Sequence, residues 1–181
     1  MTTPNQTLDL SLSERGHDVI SAVFDQALIH HRAGRLADAV TFYGLAIDLT
    51  PDFAEAFNNR GAALFALKRL DEAAASYRQA ISFQPGFADA HNNLGVLLAE
   101  AGVTDEAISS FQSAVSANAL HADAYNNMGQ AFETLGKRQD ATSSYRRALE
   151  ANPRHIGAQK NLATLLTASA ISEDELRVSK H

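Results

Sequence analysis

Apolar and small residues recur along most of this chain at spacings of three and four, the pattern of helices that bury one stripe. Phe57, Gly61 and Leu64 form one such stripe, and Ala73, Tyr77, Ala80 and Ile81 form the next. The stripes come in pairs. Between the two members of a pair lies a short turn containing Gly34, Gly102 or Gly136, with Lys68 in the equivalent place of another pair. Glycine there suits the left-handed conformation that ends a helix, so Lys68 is expected to be mildly strained. Acidic pairs such as Asp71-Glu72 and Asp105-Glu106 open the second stripes, where a helix N-terminus favours negative charge. Antiparallel helix pairs follow.

The pairs repeat at an interval of 34 residues: Gly61, Gly95 and Gly129; Ala39, Ala73, Ala107 and Ala141; Ala46, Ala80, Ala114 and Ala148; Tyr43, Tyr77, Phe111 and Tyr145. Pro51, Pro85 and Pro153 mark the ends, with Ala119 where the missing proline belongs. The glycine and alanine series read as close approaches of helix backbones, and the aromatic series as the core that fills the space beside them. One helix pair cannot bury its apolar face alone, so successive pairs must stack.

These residues resemble the tetratricopeptide repeat. His91-Asn92-Asn93-Leu94-Gly95 with Leu98, Ala107 and Phe111 matches its outline, and Tyr125, Met128, Gly129, Phe132, Ala141, Tyr145 and Pro153 match it more closely. The register gives repeats at 20–53, 54–87, 88–121 and 122–155, preceded by a partly flexible leader at 1–19 and followed by a capping helix at 156–170 and a polar tail at 171–181. The inward face of the capping helix is assigned to Leu162, Leu165 and Leu166, and Glu175 falls where a further repeat needs a small residue. Gln26, Ala27 and His30 make the first repeat degenerate, as the end of a capped array predicts. The fold implied is all-α, a right-handed superhelical solenoid of antiparallel helix pairs with a C-terminal capping helix.

Each first helix also carries adjacent amides. At about 100° per residue, Asn58 and Asn59 fall off the face made by Phe57, Gly61 and Leu64. By the resemblance, that side lines the concave groove in which such arrays bind peptides. One row is expected from Asp25, Asn59, Asn93, Asn127 and Asn161, a second from Asn58, Asn92, Asn126 and Lys160, and a third from Glu55, Asp89 and Asp123. An amide offers a donor and an acceptor and can pair with peptide main chain without reading side chains. The carboxylates favour a ligand that carries Lys or Arg, or one that is not strongly acidic. The other reading of the amides is hydrogen bonding between repeats. Family members that hold a C-terminal carboxylate use a Lys and Arg clamp, whereas the matching places here are Asn58, Glu55 and Asp89. The asparagine rows look instead like those in the arms of O-linked N-acetylglucosamine transferases, although no segment remains that could form a transferase domain.

Composition narrows the function classes. A net charge of −6 and the lack of any Lys and Arg run argue against nucleic acid, and 181 residues without cysteine rule out disulfide and thiolate chemistry. No apolar stretch approaches a membrane span and the first residues do not form a secretory signal, so a cytoplasmic location is expected. None of the seven histidines forms a metal-type pair at helical spacing, and no phosphate loop, dinucleotide fingerprint or nucleophile elbow is present. The expected protein is a non-enzymatic scaffold or adaptor that needs no cofactor or metal and binds a protein or peptide. Two other readings stay open: a recognition arm serving a glycosyltransferase in trans, and a solenoid that self-associates through its ends. The alternating stretch Leu8-Asp9-Leu10-Ser11-Leu12 reads as a loosely packed leader, or as an extended segment lying in a groove as a built-in ligand.

Overall fold

The computed structural model describes the backbone of residues 4–178 and the side chains of residues 18–167. Among the described residues there are nine helices and no strand: α1 (Pro4–Arg32), α2 (Leu36–Leu49), α3 (Ala54–Ala66), α4 (Leu70–Phe83), α5 (Ala88–Glu100), α6 (Thr104–Ala117), α7 (Ala122–Thr134), α8 (Arg138–Ala151) and α9 (Ile156–Val178). The chain divides into two compact units, residues 1–85 with α1–α4 and residues 86–181 with α5–α9.

The turn inside each pair follows from one backbone device. Gly34, Gly102 and Gly136 have φ of 73°, 79° and 70°, and Lys68, the non-glycine residue in this place, has φ of 61°. The following N–H reaches back to close the helix, as in Arg35 N–H to the His30 carbonyl and Arg69 N–H to the Leu64 carbonyl, at 3.0 and 2.9 Å. A side chain in the left-handed region costs about 1 kcal/mol. Lys68→Gly is therefore expected to raise stability by roughly 0.5–1 kcal/mol in urea unfolding, the gain being reduced by the extra freedom glycine has in the unfolded chain.

The two helices of a pair meet where glycine faces an aromatic ring. A Cβ added at Gly61, Gly95 or Gly129 would lie 2.6, 2.6 or 2.5 Å from a ring carbon of Tyr77, Phe111 or Tyr145. The eight recurring alanines, from Ala39 to Ala148, are fully buried, as are Tyr43 and Tyr145. In the first unit Phe24, Ala27, Tyr43, Ala56 and Ala63 share one core. Here Ala27 stands where later repeats have glycine. His31 packs edge-on against the Tyr43 ring, with its Nδ1 3.0 Å from the hydroxyl, and burial pushes its pKa down. In the second unit Ala141 and Tyr145 pack with Leu165 and Leu162 of α9. The Tyr145 hydroxyl donates to Glu133, and burial followed by this carboxylate pushes its pKa up.

Both ends differ from expectation. The helix α1 starts at Pro4, so the backbone of Leu8–Leu12 is helical and an extended built-in ligand is not formed. Proline is tolerated in a first turn. At the other end α9 continues past residue 170 to Val178 through a segment without glycine or proline. Leu166, assigned to the inward face, is 46% exposed. The side chains of Leu8 to Leu12 and of Glu175, and all of residues 1–3 and 179–181, lie outside the described residues.

Candidate functional site

In the second unit the first helices α5, α7 and α9 are packed on two sides. Each touches a second helix, and α7 touches both α5 and α9. On α7 this buries Ala122, Ala124, Tyr125, Asn126, Met128, Gly129 and Ala131. A narrow stripe stays open: Asp123, Gln130 and Thr134 are exposed and Asn127 is half-buried. These residues stand at i, i+4, i+7 and i+11, one face of a helix. The equivalent places on α5 are Asp89, Asn93, Val96 and Glu100, and in the first unit Glu55, Asn59, Ala62 and Ala66 of α3.

The two amides of each pair therefore differ. Asn58 and Asn126 are only 7% and 8% exposed, which corrects the expectation that this row lies off the core. Asn92 in the same row is half-buried, and the exposed Lys160 takes that place in α9. The buried row receives hydrogen bonds from the next repeat. Asn127 Nδ2 donates to Asn92 Oδ1 and Asn161 Nδ2 to Asn126 Oδ1, each at 3.0 Å. Within a pair, Nδ2 of Asn126 is 3.4 Å from Oδ1 of Asn127, and Asn58 stands in the same relation to Asn59 in the first unit. After these bonds Asn127 retains one N–H and one carbonyl lone pair on its open side.

The carboxylate row is tied to the histidines that end the repeats. His121 Nδ1 accepts the Ala124 N–H at 3.3 Å and so caps α7, which leaves the ring proton on Nε2 to be donated to Asp89 Oδ1 at 3.1 Å. His155 does the same for α9, accepting from Ala158 N–H and donating to Asp123 Oδ1, both at 2.9 Å. The rings are largely covered while the Asp89 and Asp123 side chains stay 68% and 74% exposed. These carboxylates are thus oriented on the open face. His121 and His155 both stand at the last place of their repeats, 88–121 and 122–155, and their double contact joins residues 32 apart, beyond the reach of any helical spacing.

Between α5 and α7 the open stripes enclose a groove of about 280 Å³, lined by Val96, Ala99 and Glu100 of α5, Thr104 of α6, and Asn127, Gln130, Ala131 and Thr134 of α7. Of these only Asn127 belongs to the amide rows. The others were missed, although continuing the helical stripe from Asn127 by three and seven residues reaches Gln130 and Thr134. Among the described residues no three His, Asp or Glu side chains converge as metal ligands, and no helix is long and apolar enough to cross a membrane.

Paired helices at a fixed interval, glycine-to-aromatic contacts and left-handed turns define a helical-repeat protein of the kind that serves as an interaction module. The profile of the TPR repeat matches residues 27–68 and 63–102, and that of the tetratricopeptide repeat matches residues 122–155. Together they cover more than half of the chain, which belongs to the tetratricopeptide repeat family. No curated protein matches it in sequence. Among solved structures it is similar to the pilF protein of Pseudomonas aeruginosa, with a TM-score of 0.80 and 20% identity over 86% of this chain and 71% of that one. The MamA protein matches with a TM-score of 0.74 and 18% identity over 91% and 90% of the two chains. The first TPR domain of Spaghetti (RPAP3), solved bound to the HSP90 peptide SRMEEVD, matches with a TM-score of 0.61 and 26% identity over 65% of this chain and 93% of that one. These likenesses agree on the all-α tetratricopeptide solenoid fold.

Proposed function

We propose that this protein is a non-catalytic scaffold that holds an extended peptide or partner segment along the open face of its first helices. The groove between α5 and α7 carries the reading: it is the described cavity that reaches the open side of an asparagine row, at Asn127. The remaining N–H and lone pair of Asn127, with the amide of Gln130, suit main-chain recognition. The likeness of the amide rows to those of O-linked N-acetylglucosamine transferase arms supports sequence-tolerant binding of this kind. Asn59 of α3, Asn93 of α5 and Asn161 of α9 hold the matching places, with Glu55, Asp89 and Asp123 beside them, while Asn58, Asn92 and Asn126 act as the layer behind. The Spaghetti domain bound to SRMEEVD supports peptide binding by such repeats. Its peptide is acidic, whereas the open stripes here carry carboxylates, so a partner that is not acidic is the better fit.

The test uses a display library of random peptides selected on the full chain. Binders should be lost, by at least tenfold in affinity, when Ala99→Trp fills the groove, with the melting temperature of the exposed-site variant unchanged. Binders that ignore Ala99→Trp place recognition elsewhere.

A further inference from the structure

Each first helix before α9 is covered by the second helix of its own repeat: α1 by α2, α3 by α4, α5 by α6 and α7 by α8. The helix α9 packs on α8 and α7, both of the repeat before it. The side that a second helix of its own would cover stays open. Leu166 continues the series Leu64, Leu98 and Phe132 at the interval of 34, and while Leu64 and Leu98 are buried, Leu166 is 46% exposed. Ile156 likewise follows the buried Ala54 and Ala122 and is 79% exposed, and Ala163 follows Gly61, Gly95 and Gly129 and is exposed. The chain does not fold back at the repeat's own place to cover this side. The turns stand at Gly34, Lys68, Gly102 and Gly136, and α9 runs on as helix through residue 170, the next in that series, to Val178.

The shape of the open side excludes the usual occupant. A Cβ at Gly129 would lie 2.5 Å from a ring carbon of Tyr145, and Ala163 carries that Cβ. A helix that brings an aromatic ring there, as α4, α6 and α8 do, does not fit; a helix that brings small and aliphatic residues does. Such residues are what α9 itself presents. Charge then sets the direction. From Ile156 to Ser172 the one charged residue is Lys160, and Glu173-Asp174-Glu175 follow. Lys160 lies six residues before Leu166 and the acidic triplet seven to nine after it, roughly 9–13 Å to either side along the axis. Two α9 helices crossing antiparallel near Leu166 therefore set the Lys160 of each at the level of the other's acidic triplet, while a parallel pair sets like charges together. Lys160 and Asp174 also stand within about 40° of each other round the helix, on one flank of the pair. The antiparallel arrangement opposes the two helix dipoles as well.

We infer that a second copy of this chain covers the open side of α9, in a two-fold dimer of antiparallel α9 helices with Ala163 and Leu166 at its centre and Lys160 of each copy level with Asp174 of the other. Sedimentation equilibrium of the full chain over a dilution series tests it. The parent should be monomeric when dilute and dimeric when concentrated. Leu166→Glu, with helix content unchanged by circular dichroism, should weaken dimerisation by about tenfold or more. Lys160→Glu and Asp174→Lys should each weaken it several-fold at low salt, because each sets like charges together; an equal mixture of the two should dimerise like the parent, because opposite charges then meet at both ends. A chain that stays monomeric up to about 1 mM overturns the inference and leaves the side of α9 to a helix of another protein. Dimers that ignore Leu166→Glu, or a mixture that associates no better than its two components, overturn it as well.

Discussion

Tyr145→Ala is expected to cost about 3–5 kcal/mol, a large share of the roughly 5–15 kcal/mol that holds a typical domain together. The ring is fully buried between α7 and α8 and also packs toward Leu165 of α9, so its loss leaves a cavity that three helices cannot easily close. Tyr145→Phe keeps the ring and removes only the bond to Glu133, for which about 1 kcal/mol is expected. Gly129→Ala provides the matching test from the other side, because its methyl would sit 2.5 Å from a Tyr145 ring carbon. On the parent chain this change should be severely destabilising. On the Tyr145→Ala background the ring is gone and the added methyl should cost little. Urea unfolding of the four chains measures that coupling, and additive costs would show that the glycine is not there to admit the ring.

Asn126→Ala is expected to destabilise by about 1–3 kcal/mol, since Asn161 Nδ2 loses its acceptor and Asn127 Oδ1 a donor at a site only 8% exposed. Lys160→Ala, the exposed residue in the same place of α9, should change stability by less than about 0.5 kcal/mol. Because contacts in a repeat array run between neighbours, the loss should fall first on α9. Amide hydrogen exchange of α9 in Asn126→Ala is the direct readout: faster exchange there, with α5 and α6 unchanged, is the expected result. Protection that falls equally everywhere would mean that the amide serves the whole unit and not its last helix. A peptide-binding loss without a stability loss would return Asn126 to the ligand face.

Much of the architecture was legible because it is written locally and then repeated. The spacing of Phe57, Gly61 and Leu64 defines one helix face, the interval of 34 repeats the glycine and aromatic series in step, and Gly34, Gly102 and Gly136 mark turns that glycine accommodates best. Lys68 was legible as the exception and does adopt positive φ. The amide rows were harder. A helical wheel drawn for one pair recognises one buried side, the one facing the second helix, and on that wheel Asn58 and Asn126 point away from the core. In the stack, α7 also packs on its neighbours α5 and α9, so the buried arc widens and takes in Asn126, while Asn127 stays at its edge. The same cause joins His121 to Asp89 and His155 to Asp123 across 32 residues. Sequence alone determined the repeat, its turns and its aromatic core, since those are written in residues three or four apart within a helix and in series that recur every 34 residues. Only tertiary structure decided which amide of each pair is buried and where the groove opens, because both depend on how one repeat leans on the next.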